Sequence, residues 1–367
     1  MNIVLYAICK NESQFVDRWM DSMSEADMVV VLDTGSTDDT AERLEARGAK
    51  VSRDVIEPWR FDTARNRALD LVPEDADICV STDLDEVFHE GWRELLEKAW
   101  LPGTGQASYR YTWSFNPDGS EGVVFWYNKI HARHGYKWFH PVHEVIQWVG
   151  EGSPGPTVSV EGMQLDHHPD PTKSRGQYLP LLEMSVLEDP NDDRNMHYLG
   201  REYMFKGRWD DCITTLKMHL SMPSAVWADE RAASMRYIAK SYAEKGEIQT
   251  ARNWYLKAIA EAPHLREPYI DLAMLLYNNQ KWEGVLYFTK CALEIEVRPR
   301  TYICEAAAWG SLPYDLRSIA FYNTGRYREA LMEVQKAIAI EPSNERLQGN
   351  LKFIEKAANS TGSKYSF

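Results

Sequence analysis

Asp83-Leu84-Asp85-Glu86 places three carboxylates within four residues, directly after the apolar run 78–81. Asp83 and Asp85, two residues apart past a strand, are expected to point the same way and converge. Held together they repel, and a cation relieves the repulsion. Hard oxygen ligands suit Mg²⁺ or Mn²⁺, which keep waters and also take phosphate oxygens. A second acidic position, Asp33, closes the apolar run 28–32 and leads into Thr34-Gly35-Ser36-Thr37-Asp38. A carboxylate there can grip the N–H edge of a polar ring or serve an ordinary turn and helix cap. Arg60, Arg65 and Arg67 gather beside Trp59 and Phe61, a local basic cluster that suits a diphosphate or a solvated face. Six of the ten histidines lie between positions 131 and 168. His140-Pro141-Val142-His143-Glu144 lacks the HExxH spacing, and Pro141 interrupts a helix, which excludes a zinc protease. Asp166-His167-His168 ends the strand expected over 158–165. Lys173 and Arg175, just beyond, are placed to close over phosphates.

These groups need a scaffold. Apolar runs at 2–9, 28–32, 49–52 and 78–81 read as strands. Helical spacing at 11–23, from Thr37 or Asp38 to 47, and at 62–71 lies between them. This β-α-β-α order predicts a largely parallel sheet with right-handed crossovers, whose ligands sit at the carboxyl ends of strands. Asp33 and the Asp83/Asp85 pair fall at such ends. Residues 107–114 and 122–131 read as strands joined by a turn at 116–119. A Gly/Pro-rich stretch covers 150–156, and a strand covers 158–165.

The second half is helical and repetitive. Tyr203, Tyr242, Leu276 and Phe321 align as anchors at intervals of 39, 34 and 45 residues. Four residues later stand Gly207, Gly246, Gln280 and Gly325; nine residues later stand Cys212, Ala251, Val285 and Ala330. Pro263 and Pro342 follow two of these by 12 residues. A helix-turn-helix period near 34, with Gly at the turn, resembles the tetratricopeptide repeat. A generic helical bundle is the alternative.

The chain's 367 residues correspond to about two domains. Fifty-five acidic against 41 basic residues give a net charge of −14, which disfavours a phosphate backbone as partner. Five scattered cysteines without CxxC spacing read as reduced thiols and exclude a zinc ribbon or disulfide scaffold. The early apolar run stops at Lys10, far short of a membrane span, and no basic stretch precedes it, so a cytoplasmic placement is expected. Eight of 13 tryptophans precede residue 150. Trp113, Trp126, Trp138 and Trp148 are either core or a stacking surface for an acceptor.

Taken jointly, Lys10-Asn11-Glu12, Asp33-Thr34-Gly35-Ser36-Thr37-Asp38, Ala64-Arg65-Asn66 and Thr82-Asp83-Leu84-Asp85-Glu86 resemble, in order and spacing, the family 2 glycosyltransferases of GT-A fold. With Val142-His143-Glu144, Asp166-His167-His168 and the attached repeats, the chain looks like the subgroup in which a GT-A domain precedes tetratricopeptide-like helices. That subgroup includes sublancin-type S-glycosyltransferases and lipopolysaccharide-core transferases. The resemblance implies an α/β GT-A domain, a Rossmann-like and mostly parallel mixed sheet, over 1–180. An all-α solenoid over 181–360 and a tail over 361–367 would follow. It implies a UDP-sugar donor and a Mn²⁺ or Mg²⁺ cofactor. Asp33 would accept from uracil N3–H, Glu12 would line the same pocket, and Arg65 would hold the base or diphosphate. Asp83 would contact ribose or a metal-bound water, and Asp85 would ligate the metal. His167 or His168 would be a third ligand; strand alternation lets only one of them face the site. Inversion needs a carboxylate base after the Asp pair. Glu144 is the choice, Glu86 the reserve, and Asp118 and Glu121 lie in an exposed-looking turn.

The expected function is transfer of a sugar from a UDP-sugar to an acceptor hydroxyl or thiol, on a peptide, a protein or a glycan. Solenoid grooves bind peptides or mediate dimers, so a homodimer through the helical half is a further expectation. Nucleic acid is disfavoured, although a modified DNA base is a third acceptor class. A non-catalytic scaffold with a degenerate nucleotide-binding domain is the rival from another class. A nucleotidyltransferase lacks its Gly-rich loop here, because 7–12 contains no Gly.

Overall fold

The computed structural model describes residues 1–116, 119–173 and 176–362. Asp118, Arg175 and the tail from 363 onward therefore lie outside the described residues. The chain divides into two compact units, Met1–Glu188 and Asp189–Phe367.

The first unit is built on strands β1 (Ile3–Cys9), β2 (Met28–Asp33), β3 (Lys50–Arg53), β4 (Ile78–Ser81) and β5 (Glu86–Phe88). These are followed by β6 (Gln106–Thr112), β7 (Val124–Ala132), β8 (Tyr136–Phe139), β9 (Val145–Trp148) and β10 (Thr157–His167). Its helices are α1 (Val16–Ser22), α2 (Thr40–Ala46), α3 (Phe61–Asp70), α4 (Trp92–Ala99) and α5 (Tyr178–Glu188). Eight strands form one mixed sheet in the order β3-β2-β1-β4-β7-β6-β10-β5. The pairs among β3, β2, β1 and β4 are parallel, β7 is antiparallel to both its neighbours, and β10 is parallel to β6. β8 and β9 form a separate hairpin. The N-terminal α/β pattern thus matches expectation. The β5 strand, the α4 helix and the β8-β9 hairpin were not legible in the sequence.

Strand β1 shows why the sheet sits centrally. Its seven residues are all buried, and alternate side chains feed opposite faces. Ile3, Leu5, Ala7 and Cys9 pack with Trp19 of α1 and with Trp92 and Leu96 of α4. Val4, Tyr6 and Ile8 pack with Ala64 and Ala68 of α3 and with Trp138 and Ile146 of the hairpin. Layers on both faces leave the carboxyl edge of the parallel strands as the place where polar groups collect. The Cys9–Asp33 register pair puts the ends of β1 and β2 side by side. The loops beyond then interlock: Thr37 N donates to Asn11 Oδ1 at 2.7 Å and Glu12 N to Thr40 Oγ1 at 2.8 Å.

The second unit is a tetratricopeptide-like stack of helix hairpins. α6 (Asp193–Phe205) pairs with α7 (Trp209–Ser221), α8 (Ala228–Glu244) with α9 (Ile248–Glu261), and α10 (Glu267–Asn278) with α11 (Trp282–Leu293). After the short α12 (Ala306–Trp309), α13 (Leu312–Asn323) pairs with α14 (Tyr327–Ile340), and α15 (Glu345–Gly362) follows. The anchors acquire a physical meaning here. Tyr203, Tyr242, Leu276 and Phe321 each accept, through their carbonyl, the bond from the amide five residues on. Gly207, Gly246, Gln280 and Gly325 all take positive φ, between 55° and 81°. This is the Schellman stop, in which a left-handed residue ends the helix and Gly carries no Cβ penalty. Gln280 adopts the same conformation without that freedom. Cys212, Ala251, Val285 and Ala330 are fully buried between the paired helices. The longest interval, 45 residues, is the one that contains α12. No helix among the described residues is long and apolar enough to cross a membrane.

Candidate functional site

The site grows from the turn after β4. Ser81 ends that strand, and Asp83, Asp85 and Glu86 follow. Asp83 does not stand beside Asp85 as a free pair. Both Asp83 oxygens are held by Arg65 Nη2, at 2.8 and 3.1 Å, and Oδ2 also accepts from Lys129 Nζ at 3.0 Å. Burial opposes ionisation of Asp83, yet the two cations outweigh it and hold the carboxyl below the usual carboxylate range. Arg65 and Lys129 are themselves buried, and the same contacts keep both protonated.

Glu86 turns inward. Oε1 accepts from Lys129 Nζ at 3.0 Å and Tyr111 Oη at 2.9 Å; Oε2 accepts from the Asp83 amide at 2.8 Å. With 1% exposure and both oxygens engaged it is a positioning group, and burial pushes its pKa upward. The reserve assignment as a base finds no open oxygen here.

Asp85 faces a different neighbour. In β10, His167 sits opposite Glu86, and the His168 amide donates to the Asp85 carbonyl at 2.8 Å. This register brings His167 Nε2 to 3.4 Å from Asp85 Oδ2. His167 Nδ1 lies 2.9 Å from the Trp113 carbonyl, which can only accept, so Nδ1 carries the proton. His168 instead stacks flat on Phe115, with centroids 5.3 Å apart. Of the two histidines, His167 is the one that faces the acidic turn. An imidazole nitrogen with a fixed tautomer plus a carboxylate oxygen is a donor set that fits a divalent cation such as Mn²⁺.

Glu144 lies after the hairpin strand β8 and is salt-bridged to Arg65 Nε. Arg65 therefore joins Asp83 to Glu144, and its ring-facing side lies over Trp138, 5.2 Å from the ring centroid. Its Nη1 is buried with no hydrogen-bond partner among the described residues. Glu12 is also buried. Burial raises its pKa to about 7, only partly offset by Lys173, whose Nζ donates to Glu12 Oε1. Asp85 and Asp83 add to that rise, so Glu12 shares their field. Glu12, Asp83, Glu86 and Glu144 are thus paired with three cations, Arg65, Lys129 and Lys173, whereas Asp85 faces His167.

Asp33 Oδ1 accepts from the amides of Gly35, at 3.1 Å, and Ser36, at 2.8 Å. Its second oxygen takes no hydrogen bond among the described residues. Asp33 floors a cavity of about 300 Å³ also lined by Ser36, Arg53, Asp54 and Val55.

Several sequence assignments change. Arg60 pairs with Asp62 and Glu188, and Arg67 with Asp54, so with Arg65 engaged the basic cluster is already neutralised by protein carboxylates. Trp138 is core: 2% exposed, with its Nε1 donating to Tyr6 Oη at 2.8 Å. Trp148 packs on Tyr136. Trp113 is 39% exposed and stacks on His167, which places it beside the acidic turn. Glu121 is tied up by Arg110. Lys129 and Tyr111 were not anticipated. The available signal was a lysine in step with Tyr127 and His131 on a largely apolar strand, where period two puts the three on one face.

No protein-family model matches the chain, and no curated protein matches it. Solved structures similar to parts of it include MamA, at 18% identity over 46% of this chain and 89% of MamA, TM-score 0.37. The Cut9–Hcn1 assembly matches at 10% identity over 49% of this chain and 33% of that one, TM-score 0.40. YrrB, described as a TPR protein with an unusual peptide-binding site, matches at 13% identity over 47% and 81%, TM-score 0.37.

Proposed function

We propose that the first unit is a metal-dependent inverting glycosyltransferase that uses a UDP-sugar. The observation that carries this reading is the opposition of His167 and Asp85 at 3.4 Å, with the histidine tautomer fixed. It lies beside a carboxylate cluster whose other members are ion-paired, at the strand edge where Asp33 keeps one oxygen open over a cavity.

Asp85 and His167 would hold Mn²⁺ or Mg²⁺. When bound, the cation supplies positive charge to the diphosphate as it leaves. Asp33 Oδ2 would accept from the N–H edge of the base. Arg65 Nη1, a buried donor without a hydrogen-bond partner among the described residues, would donate to an oxygen of the donor substrate. Glu144 would take the proton of the acceptor hydroxyl or thiol. As that proton leaves, the acceptor oxygen or sulfur bonds to the anomeric carbon. The carbon–oxygen bond to the diphosphate breaks with its electron pair, and UDP departs. The ion pair with Arg65 orients Glu144 for this task. A peptide or protein acceptor is favoured over a glycan, because helix hairpins stacked in register form the extended surfaces that peptides use.

Incubation with a panel of UDP-sugars and Mn²⁺, scoring UDP release with and without peptide acceptors, tests the reading. Release that requires Mn²⁺ and is lost in Asp85→Asn supports it. Absence of release from every donor, together with UDP binding unchanged in Asp85→Asn, overturns it.

A further inference from the structure

The helical unit contains a second cluster of metal-ligating side chains, far in sequence from the acidic turn. His197 on α6, His219 on α7 and Glu230 on α8 come from three successive helices. One donor atom from each lies within 4.8 Å of the others. All three are buried, His219 completely. The two rings are 5.5 Å apart between centroids.

Their surroundings are ordered around one hydroxyl. Ser234, one turn after Glu230 on α8, has its Oγ 2.7 Å from His197 Nδ1 and 3.0 Å from His219 Nδ1. A hydroxyl oxygen can accept from two N–H groups. When both Nδ1–H groups donate to Ser234, the Nε2 atoms of both rings are the ones left to bind a cation. Histidine ligands are commonly arranged this way, with the far nitrogen fixed by an outer hydrogen bond. Glu230 is oriented in turn by Tyr302, whose hydroxyl donates to Oε2. Its Oε1 lies 3.3 Å from His219 Nε2, yet His219 Nε2 makes no hydrogen bond among the described residues. A buried carboxylate oxygen and a buried ring nitrogen thus face each other without sharing a well-aligned proton, an arrangement that a cation between them would resolve.

We propose that His197, His219 and Glu230 bind a divalent transition-metal ion, of which Zn²⁺ best suits two imidazoles and a carboxylate, and that it staples the first hairpin of the helical unit to the helix that follows. Imidazole donors disfavour Mg²⁺ and Ca²⁺, while two nitrogens and an oxygen are a familiar zinc set with a fourth position left for water. Because the three ligands come from three helices, the site exists only when the helices are packed. Metal binding is then coupled to folding of this end of the stack. The inference is independent of the glycosyltransferase reading and stands if that reading fails.

The test uses the full chain carrying Asp85→Asn and His167→Gln, so that the other candidate site contributes nothing. Metal-free protein is titrated with Zn²⁺ alone, followed by calorimetry, and with Co²⁺, followed by visible absorption. The expected result is one saturable equivalent of Zn²⁺ and a Co²⁺ spectrum of four-coordinate intensity that Zn²⁺ displaces. The melting temperature should rise with Zn²⁺ and fall again with chelator. Adding His219→Gln should abolish binding, and Ser234→Ala should weaken it ~10–100-fold. Absence of saturable Zn²⁺ binding in the parent chain overturns the proposal, whatever the variants do. Retention of a full equivalent by a folded His219→Gln protein overturns it as well.

Discussion

Lys129 Nζ donates to Glu86 Oε1 at 3.0 Å where neither side chain meets water, the lysine being 3% and the glutamate 1% exposed. The same ammonium also serves Asp83. Removing one partner of such a group leaves charge buried without compensation, at a cost of roughly 3–5 kcal/mol. Lys129→Met should therefore lower stability by that order in urea or thermal unfolding. Lys129→Met combined with Glu86→Gln should recover part of the loss. A single variant as stable as the parent would show that this ammonium is not the counter-charge.

The two candidate ligands can be separated from their neighbour. Asp85→Asn and His167→Gln should each weaken Mn²⁺ binding by at least ~10-fold, whereas His168→Gln, which alters a ring stacked on Phe115, should leave it within twofold. Electron paramagnetic titration of Mn²⁺ distinguishes these cases. Equal losses in all three variants would contradict the assignment of His167 alone.

Glu144 is held by Arg65 rather than by solvent. As the base it should be needed for turnover and not for donor affinity, so Glu144→Gln should reduce kcat by ~100–10,000-fold with donor KM unchanged. Steady-state kinetics with the productive UDP-sugar reads this. Turnover within tenfold of the parent would remove Glu144 from the mechanism.

Two buried groups give stability opposite dependences on pH. Burial lowers His131 to about 4 from 6.5. Its unfolded form binds a proton first, so its contribution is present above pH 6.5 and is lost as pH falls towards 4. Glu12 is raised from 4.5 to about 7. Its contribution is present below pH 4.5 and is lost as pH rises towards 7. Each is worth about 3 kcal/mol at 1.36 kcal/mol per pKa unit. In unfolding experiments across pH 4–7, His131→Gln should remove the acid-side loss and Glu12→Gln the opposite slope. An unchanged slope in either variant counts against that residue.

The four hairpin stops offer a sign test. Gln280 takes φ 55° where the equivalent positions carry Gly. Gln280→Gly should raise stability by ~1 kcal/mol through relief of left-handed strain, and Gly246→Ala should lower it by ~1 kcal/mol. Melting temperatures check both, and two changes of the same sign would refute the explanation.

Much of the framework was legible along the chain because it rests on local rules. The continuous apolar run of β1, the strand-end acids Asp33 and Asp83, and the Gly that stops α6, α8 and α13 are dictated by hydrophobic pattern and by backbone conformation. Those signals need no knowledge of what lies opposite. The partners of the acids were not local. Whether Asp83 meets Asp85 or Arg65 depends on how α3 and β7 pack onto the turn after β4. The choice between His167 and His168 depends on the register of β10 against β5, which no single strand encodes. Lys129, 46 residues after Asp83, and Ser234 between His197 and His219 were decided only by tertiary packing. Burial strengthens electrostatics and brings together groups that sequence keeps apart. The sequence by itself determined which elements form and where their acids fall; the tertiary structure decided which charge each acid meets.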